Sequence, residues 1–196
     1  MSRKLQHLNP NRYFHIYNRG NNSIPIFPDA ASVHYFFKKY DQYIGPVADT
    51  LAWCLLPNQF HFIVYLKDLT ENQFELKYRT VTKPKRLTHW LQFSHFFNAY
   101  TQAVNKKFSR TGALFEKPFG RHEIASVEEL QKKIISMHNY SRAHFALKSS
   151  CDEITGRKTA RLNLIMLYQL FGSEKNFKTA HSIFLTWDDF ATFTKH

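Results

Sequence analysis

Cysteine is nearly absent. The 196-residue chain has two, Cys54 and Cys151, far apart and in no Cys-x-x-Cys pair. That spacing argues against a disulfide framework. Cys54 lies inside an apolar run and reads as a small core residue. No apolar stretch is long enough to span a bilayer. The N-terminal Met1-Ser2-Arg3-Lys4-Leu5-Gln6-His7 lacks the apolar centre of a signal peptide, so a cytoplasmic location is expected. Internal repeats and low-complexity segments are also missing. Acidic residues are scarce: 15 Asp and Glu face 27 Lys and Arg, a net charge of +12. The scarcity is local, since Lys77 to Arg121 holds ten Lys and Arg but a single acid, Glu116, while the last fifty residues are near balance. Such a basic segment points to a polyanionic partner. A solvated basic surface is the plainer alternative.

Aromatics are plentiful. They make up 16% of the chain, with 19 Phe, and hydrophobic residues make up 43%, so a folded core is expected. Tyr13 to Tyr17 alternates as a strand and runs into the polar turn Asn18-Arg19-Gly20-Asn21-Asn22. Asp29 is placed to cap a helix carrying Val33, Phe36, Phe37 and Tyr40. Val47 to Leu56 reads as a strand closed by Pro57-Asn58. It pairs as a hairpin with the strand that follows, Gln59 to Leu66. Residues 69–84 read as loop. Leu87 to Phe108 is an amphipathic helix with Leu91, Phe93, Phe96, Phe97, Tyr100 and Val104 on its apolar side. Leu114 to Ile124 is a strand interrupted by Pro118 and Gly120, which implies an edge or a bend. Ser126-Val127-Glu128-Glu129 is a capping box for a helix from Val127 to about Phe145. The order strand, helix, strand, strand, helix, strand, helix predicts an α+β fold, an antiparallel sheet with helices. The expected division is a domain over 1–145 and a helical C-terminal extension over 146–196. That extension has a turn at Thr155-Gly156-Arg157 and helices near Leu162 to Phe171 and after Gly172.

The stretch Leu55 to Tyr65 carries the chemistry. Alternate residues of a strand share a face. Phe60, Phe62, Val64 and Leu66 therefore form a core face, and Gln59, His61, Ile63 and Tyr65 form the other. Two imidazoles two residues apart would offer a divalent ion two ligands, but here the first position is Gln59. The last helix is expected to cross the sheet on this second face.

Three segments occur in order: Tyr13 to Asn22, the Leu56-Pro57-Asn58-x-Phe60-His61-Phe62 hairpin, and Arg110-Thr111-Gly112-x-Leu114-Phe115-x-x-Pro118-Phe119. Together they resemble the insertion-sequence-200-like single-strand DNA transposases, and within them the REP-associated tyrosine transposases. The resemblance covers residues 10–145, and the segment Leu170 to Phe177 resembles an extension of some members. It implies a ferredoxin-like fold and a partner that is single-stranded or hairpin DNA. A Mg²⁺ or Mn²⁺ ion would be held by a His-hydrophobe-His pair and a polar residue of the last core helix. A tyrosine one turn before that residue would attack the scissile phosphate. Members act as dimers or as monomers, so a homodimer stays open.

Carried over to this chain, the resemblance places Gln59, His61 and Asn139 at the metal positions. It puts Ile135 where the tyrosine belongs, which implies that cleavage is impaired or lost. Tyr140 is a substitute nucleophile on paper. It sits five residues from Ile135, roughly 140° away around a helix, so it is expected to point elsewhere. DNA contacts are expected from Arg19, Asn21 and Asn22 in the first turn, from Lys83, Lys85 and Arg86 before the long helix, from Lys117, Arg121 and His122 around the fourth strand, and from Arg142. The alternative function is a domesticated, non-catalytic DNA-binding protein.

Overall fold

The computed structural model describes residues 6–69, 88–143, 146–155 and 161–182. Strands β1 (Tyr13–Arg19), β2 (Ala48–Leu56), β3 (Gln59–Leu66), β4 (Gly120–Ile124) and β5 (Lys148–Ser149) form one sheet in the order β4-β1-β3-β2-β5. Every neighbouring pair is antiparallel. Helices α1 (Ala30–Tyr43) and α2 (His89–Lys107) cover one face, and α3 (Val127–Ala143) crosses the other. Short helices α4 (Ser150–Thr155), α5 (Leu164–Leu170) and α6 (Glu174–Ser182) follow. The expected α+β antiparallel fold is present, with a fifth strand. No described helix is long and apolar enough to cross a membrane.

The local signals account for the element ends. Asp29 Oδ1 accepts the Ser32 amide at 2.7 Å and starts α1. Ser126 Oγ accepts the Glu129 amide at 3.1 Å, and Glu129 reaches back to the Ala125 amide, a capping box shifted by one donor. Pro57-Asn58 makes the two-residue hairpin connection that sets Leu56 opposite Gln59. The loop after β1 is tied to this connection, since the Gly20 amide donates to the Asn58 carbonyl and the Ile26 amide to the Pro57 carbonyl.

The first core lies under α1 and α2. Phe14 and Ile16, Phe60, Phe62, Val64 and Leu66, and Trp53 and Leu55 supply the sheet side. Phe36, Tyr40, Phe96 and Tyr100 lie over them, all essentially sealed from solvent. Tyr40 bonds Thr50 Oγ1 at 2.8 Å and Tyr100 donates to the Ile26 carbonyl at 2.6 Å. Burial pushes both phenols well above the ordinary tyrosine value. The folded chain therefore keeps protons that the unfolded chain loses above pH ~10, so stability is complete below that pH and declines above it. A titration followed by phenolate absorbance should show fewer than the ten tyrosines ionising until the protein unfolds. The urea midpoint should fall between pH 9 and 11. A midpoint flat across that range contradicts the burial account.

The second core lies under α3 and contains Leu51, Ala52, Leu56, Ile63 and Ile124 with Leu130, Ile134 and Met137. The segment after residue 145 follows the outer side of β2. The Leu147 amide donates to the Leu55 carbonyl, and Ser149 pairs with Cys54. Ser150 Oγ bonds both the amide and the carbonyl of Trp53, and the Asn163 amide reaches the Thr50 carbonyl.

Candidate functional site

Register across three strands places the polar cluster. Tyr17 stands opposite His61, Arg19 opposite Gln59, and His15 opposite both Ile63 and His122. All point to the face that α3 crosses. His15 and His61 are 3% and 2% exposed, and His15 Nε2 lies 3.1 Å from His61 Nδ1. Their rings stack at 5.2 Å, and Tyr17 stacks on His61 and lies tilted against His15. One nitrogen of the pair carries the shared proton. If His61 Nδ1 donates, its Nε2 holds the lone pair; if His15 donates, His61 Nε2 is protonated. His15 thus sets the tautomer of His61. Sequence reasoning missed His15 and Tyr17. The signal lay in the alternation Tyr13-His15-Tyr17, but the pairing of β1 with β3 spans 46 positions and leaves no local mark.

The helix corrects a second expectation. The count from Ile135 turned Tyr140 away from the site, but the structure turns it in. Gln59 Nε2 donates to the Tyr140 hydroxyl at 3.4 Å, and the Tyr140 ring stands edge-on to His61 at 6.3 Å. The reason is that α3 is buried on two sides. Gln131 bonds the Leu170 carbonyl and His138 bonds His181 at 2.8 Å, so these two positions face the C-terminal helices. Ile135 lies four residues after Gln131 and three before His138, on that same stripe. It is buried in the second core. Asn139 is one turn beyond Ile135, and its buried Nδ2 has no hydrogen-bond partner among the described residues. One turn back from Tyr140 is Ser136, a buried hydroxyl, and not Ile135.

Burial raises the Tyr140 phenol above its ordinary value, with a contribution from Cys54 in the same direction and an opposing one from the Gln59 bond. Burial and Cys54 both disfavour the phenolate, the form that attacks a phosphate.

Of the implied Mg²⁺ or Mn²⁺ set of Gln59, His61 and Asn139, the first two are brought together on neighbouring positions of one strand face beside Tyr140. The amide nitrogen of Gln59 is turned to Tyr140, and His61 Nδ1 is turned to His15. Among the described residues no group of three or more His, Cys, Asp or Glu is placed to hold a metal ion.

The expected DNA contacts scatter. Arg19 binds Glu116 through Nε at 2.9 Å and Nη2 at 2.8 Å. Asn21 and Asn22 form an exposed 3-10 turn in which Asn22 adopts a left-handed φ of 53°. His122 approaches Glu129 at 3.5 Å. Lys117 is exposed. Arg121 lies at 4.6 Å over the Trp90 ring on the opposite sheet face. Lys83, Lys85 and Arg86 fall outside the described residues, as do the Arg142 side chain and the turn at Thr155-Gly156-Arg157.

No family model matches this chain, and no curated protein matches it. Among solved structures, it is similar to a REP-associated tyrosine transposase bound to a REP hairpin. The TM-score is 0.50, with 12% identity over 74% of each chain. At that identity the likeness is one of fold: an antiparallel α+β sheet with crossing helices, shared with a transposase.

Proposed function

We propose that this protein binds single-stranded DNA folded into a hairpin and does not cleave it. The observation that carries the second half is the identity of Gln59: an amide, a weaker metal ligand than imidazole, stands beside the Tyr140 hydroxyl where the strand would need a second histidine. The position on α3 that faces His61 holds a phenol whose pKa is raised and which an amide engages. The residue one turn before it is a serine. The basic segment from Lys77 to Arg121 and the shared fold with a hairpin-bound transposase support the first half. A cleaving reading has one observation in its favour, the hydroxyl of Tyr140 beside an imidazole.

Incubation with a labelled hairpin oligonucleotide and Mn²⁺, followed by a denaturing gel, separates the two. Retarded DNA on a native gel and no covalent adduct on the denaturing one is the expected pair of results. An adduct that disappears in Tyr140→Phe or Ser136→Ala overturns the non-cleaving reading. Absence of retardation at low salt overturns the DNA reading as well.

A further inference from the structure

A cavity of about 400 Å³ opens between the start of α1 and the segment that follows the outer side of β2. Phe27, Val33 and Phe37 line it on one side, and Leu147, Lys148 and Arg161 on the other. The first three belong to the core under α1, on the sheet face opposite the His15–His61 cluster. These walls are pinned. Phe27 stands edge-on to Phe36 at 5.0 Å, and Phe37 edge-on to Trp53 at 4.7 Å. The Arg161 guanidinium lies 4.2 Å from the Phe37 centroid and is forked onto Asp41, Nε to Oδ1 at 2.9 Å and Nη2 to Oδ2 at 3.1 Å. Side chains held in this way do not swing in to fill the space, so the cavity is preformed and of a size that takes small molecules.

The chemistry of the lining narrows what can enter. Leu147 is 44% exposed, an apolar side chain left open to solvent at the cavity. Lys148 is exposed beside it and forms no ion pair among the described residues. His34 of α1 adds an exposed imidazole. Asp41 is engaged by Arg161, and Asp29, which also lines the cavity, by Lys107. Apolar walls take up a flat hydrocarbon body, and the uncommitted ammonium takes one negative charge. A second negative charge would meet the Asp29 carboxylate. A nucleic-acid strand carries a charge at every phosphate, so a single uncommitted lysine beside an aspartate suits it poorly.

Two distant parts of the chain build this cavity. β5 pairs with β2 only at Cys54 and Leu55. A molecule in contact with both Val33 and Leu147 ties that short strand to α1, so its binding free energy adds to the docking of the segment.

We propose that this cavity is a binding site for a small aromatic monoanion, an aryl carboxylate or sulfonate whose ring lies on the Phe27–Val33–Phe37 wall and whose charge meets Lys148. The inference is independent of the hairpin reading. Fluorescence titration of the full-length chain tests it, with anilinonaphthalene sulfonate as the charged probe and phenylnaphthylamine, the same ring system without the sulfonate, as the uncharged one. The sulfonate should saturate at a single site. Lys148→Glu should bind it about tenfold more weakly, the effect of reversing one charge near a protein surface. The uncharged probe should bind wild type and Lys148→Glu alike. Val33→Phe, which fills the cavity, should weaken both probes. Lys148 is exposed, so Lys148→Glu should melt at the wild-type temperature, and the sulfonate should raise that temperature in the wild type more than in the variant. Saturating hairpin should leave the bound sulfonate in place. Absence of sulfonate binding by the wild type overturns the proposal, as does equal affinity of wild type and Lys148→Glu for it. Equal weakening of both probes by Lys148→Glu overturns the assigned charge contact. Displacement of the sulfonate by hairpin gives the cavity to DNA and overturns the small-molecule site.

Discussion

Raising the salt from 50 to 200 mM should weaken hairpin binding by about a thousandfold, the loss that about six phosphate contacts produce through counterion release. The chain has the charge for this, at +12 overall. Several cations are already committed. Arg19 to Glu116, Lys107 to Asp29 and Arg161 to Asp41 are ion pairs, and DNA gains little from them. Lys106, Arg110 and Lys117 form no ion pair among the described residues and are the contacts to remove first. Replacing all three with Gln should lower the slope of log affinity against log salt by about three. The non-cleaving reading sets no limit on this term, because phosphate attraction needs neither a nucleophile nor a metal. A slope near zero, measured by anisotropy across the salt series, rules out a polyanionic partner and returns the basic segment to a solvated surface.

Phe36→Ala should be the most damaging single core substitution. Phe36 is fully buried and meets six rings: Phe27, Phe37, Phe60, Phe62, Phe96 and Tyr100, with centroids between 4.9 and 6.2 Å. It joins α1 to α2 and both to β3. Truncation removes the ring's transfer energy and leaves a cavity that stiff aromatic neighbours cannot close, a cost of about 4 kcal/mol. Against a total of about 5–15 kcal/mol that is about a quarter or more of the stability. The melting temperature should drop by on the order of 10 °C. Ile165→Ala, at a residue 74% exposed, is the control and should stay within about 0.5 kcal/mol. Urea unfolding of both variants checks this. A loss below 1 kcal/mol for Phe36→Ala contradicts the packing account.

Features decided within a few residues were legible in the sequence. Asp29 and Ser126 cap their helices, Pro57-Asn58 closes the hairpin, and the alternation from Phe60 to Leu66 marks the face that α1 and α2 cover. Features decided between distant segments were not. β5 is two residues long and exists because β2 offers it partners. His15 acquires its role only through the β1–β3 register. Tyr140 was misplaced for a related reason. Helical periodicity tells which residues share a stripe of α3, but both stripes are covered, and it cannot say which meets the sheet and which meets α5 and α6. The fold thus followed from the pattern, while the candidate site depended on a choice between two buried sides.

The run of contacts between β2 and the segment after residue 145 has a consequence for solubility. β2 reads Ala48 to Leu56 and is buried along most of its length. A strand so apolar, with its outer amides and carbonyls bare, would be a template for pairing between copies and for aggregation. Leu147 to Ser150 and Asn163 occupy that side at Leu55, Cys54, Trp53 and Thr50. At the far side of the sheet, Gln6 bonds Arg121 and the Glu123 amide of β4. Both margins of the sheet are therefore guarded by segments of the same chain, and the stretch from Leu147 to Asn163 acts as an intramolecular shield for the apolar strand β2.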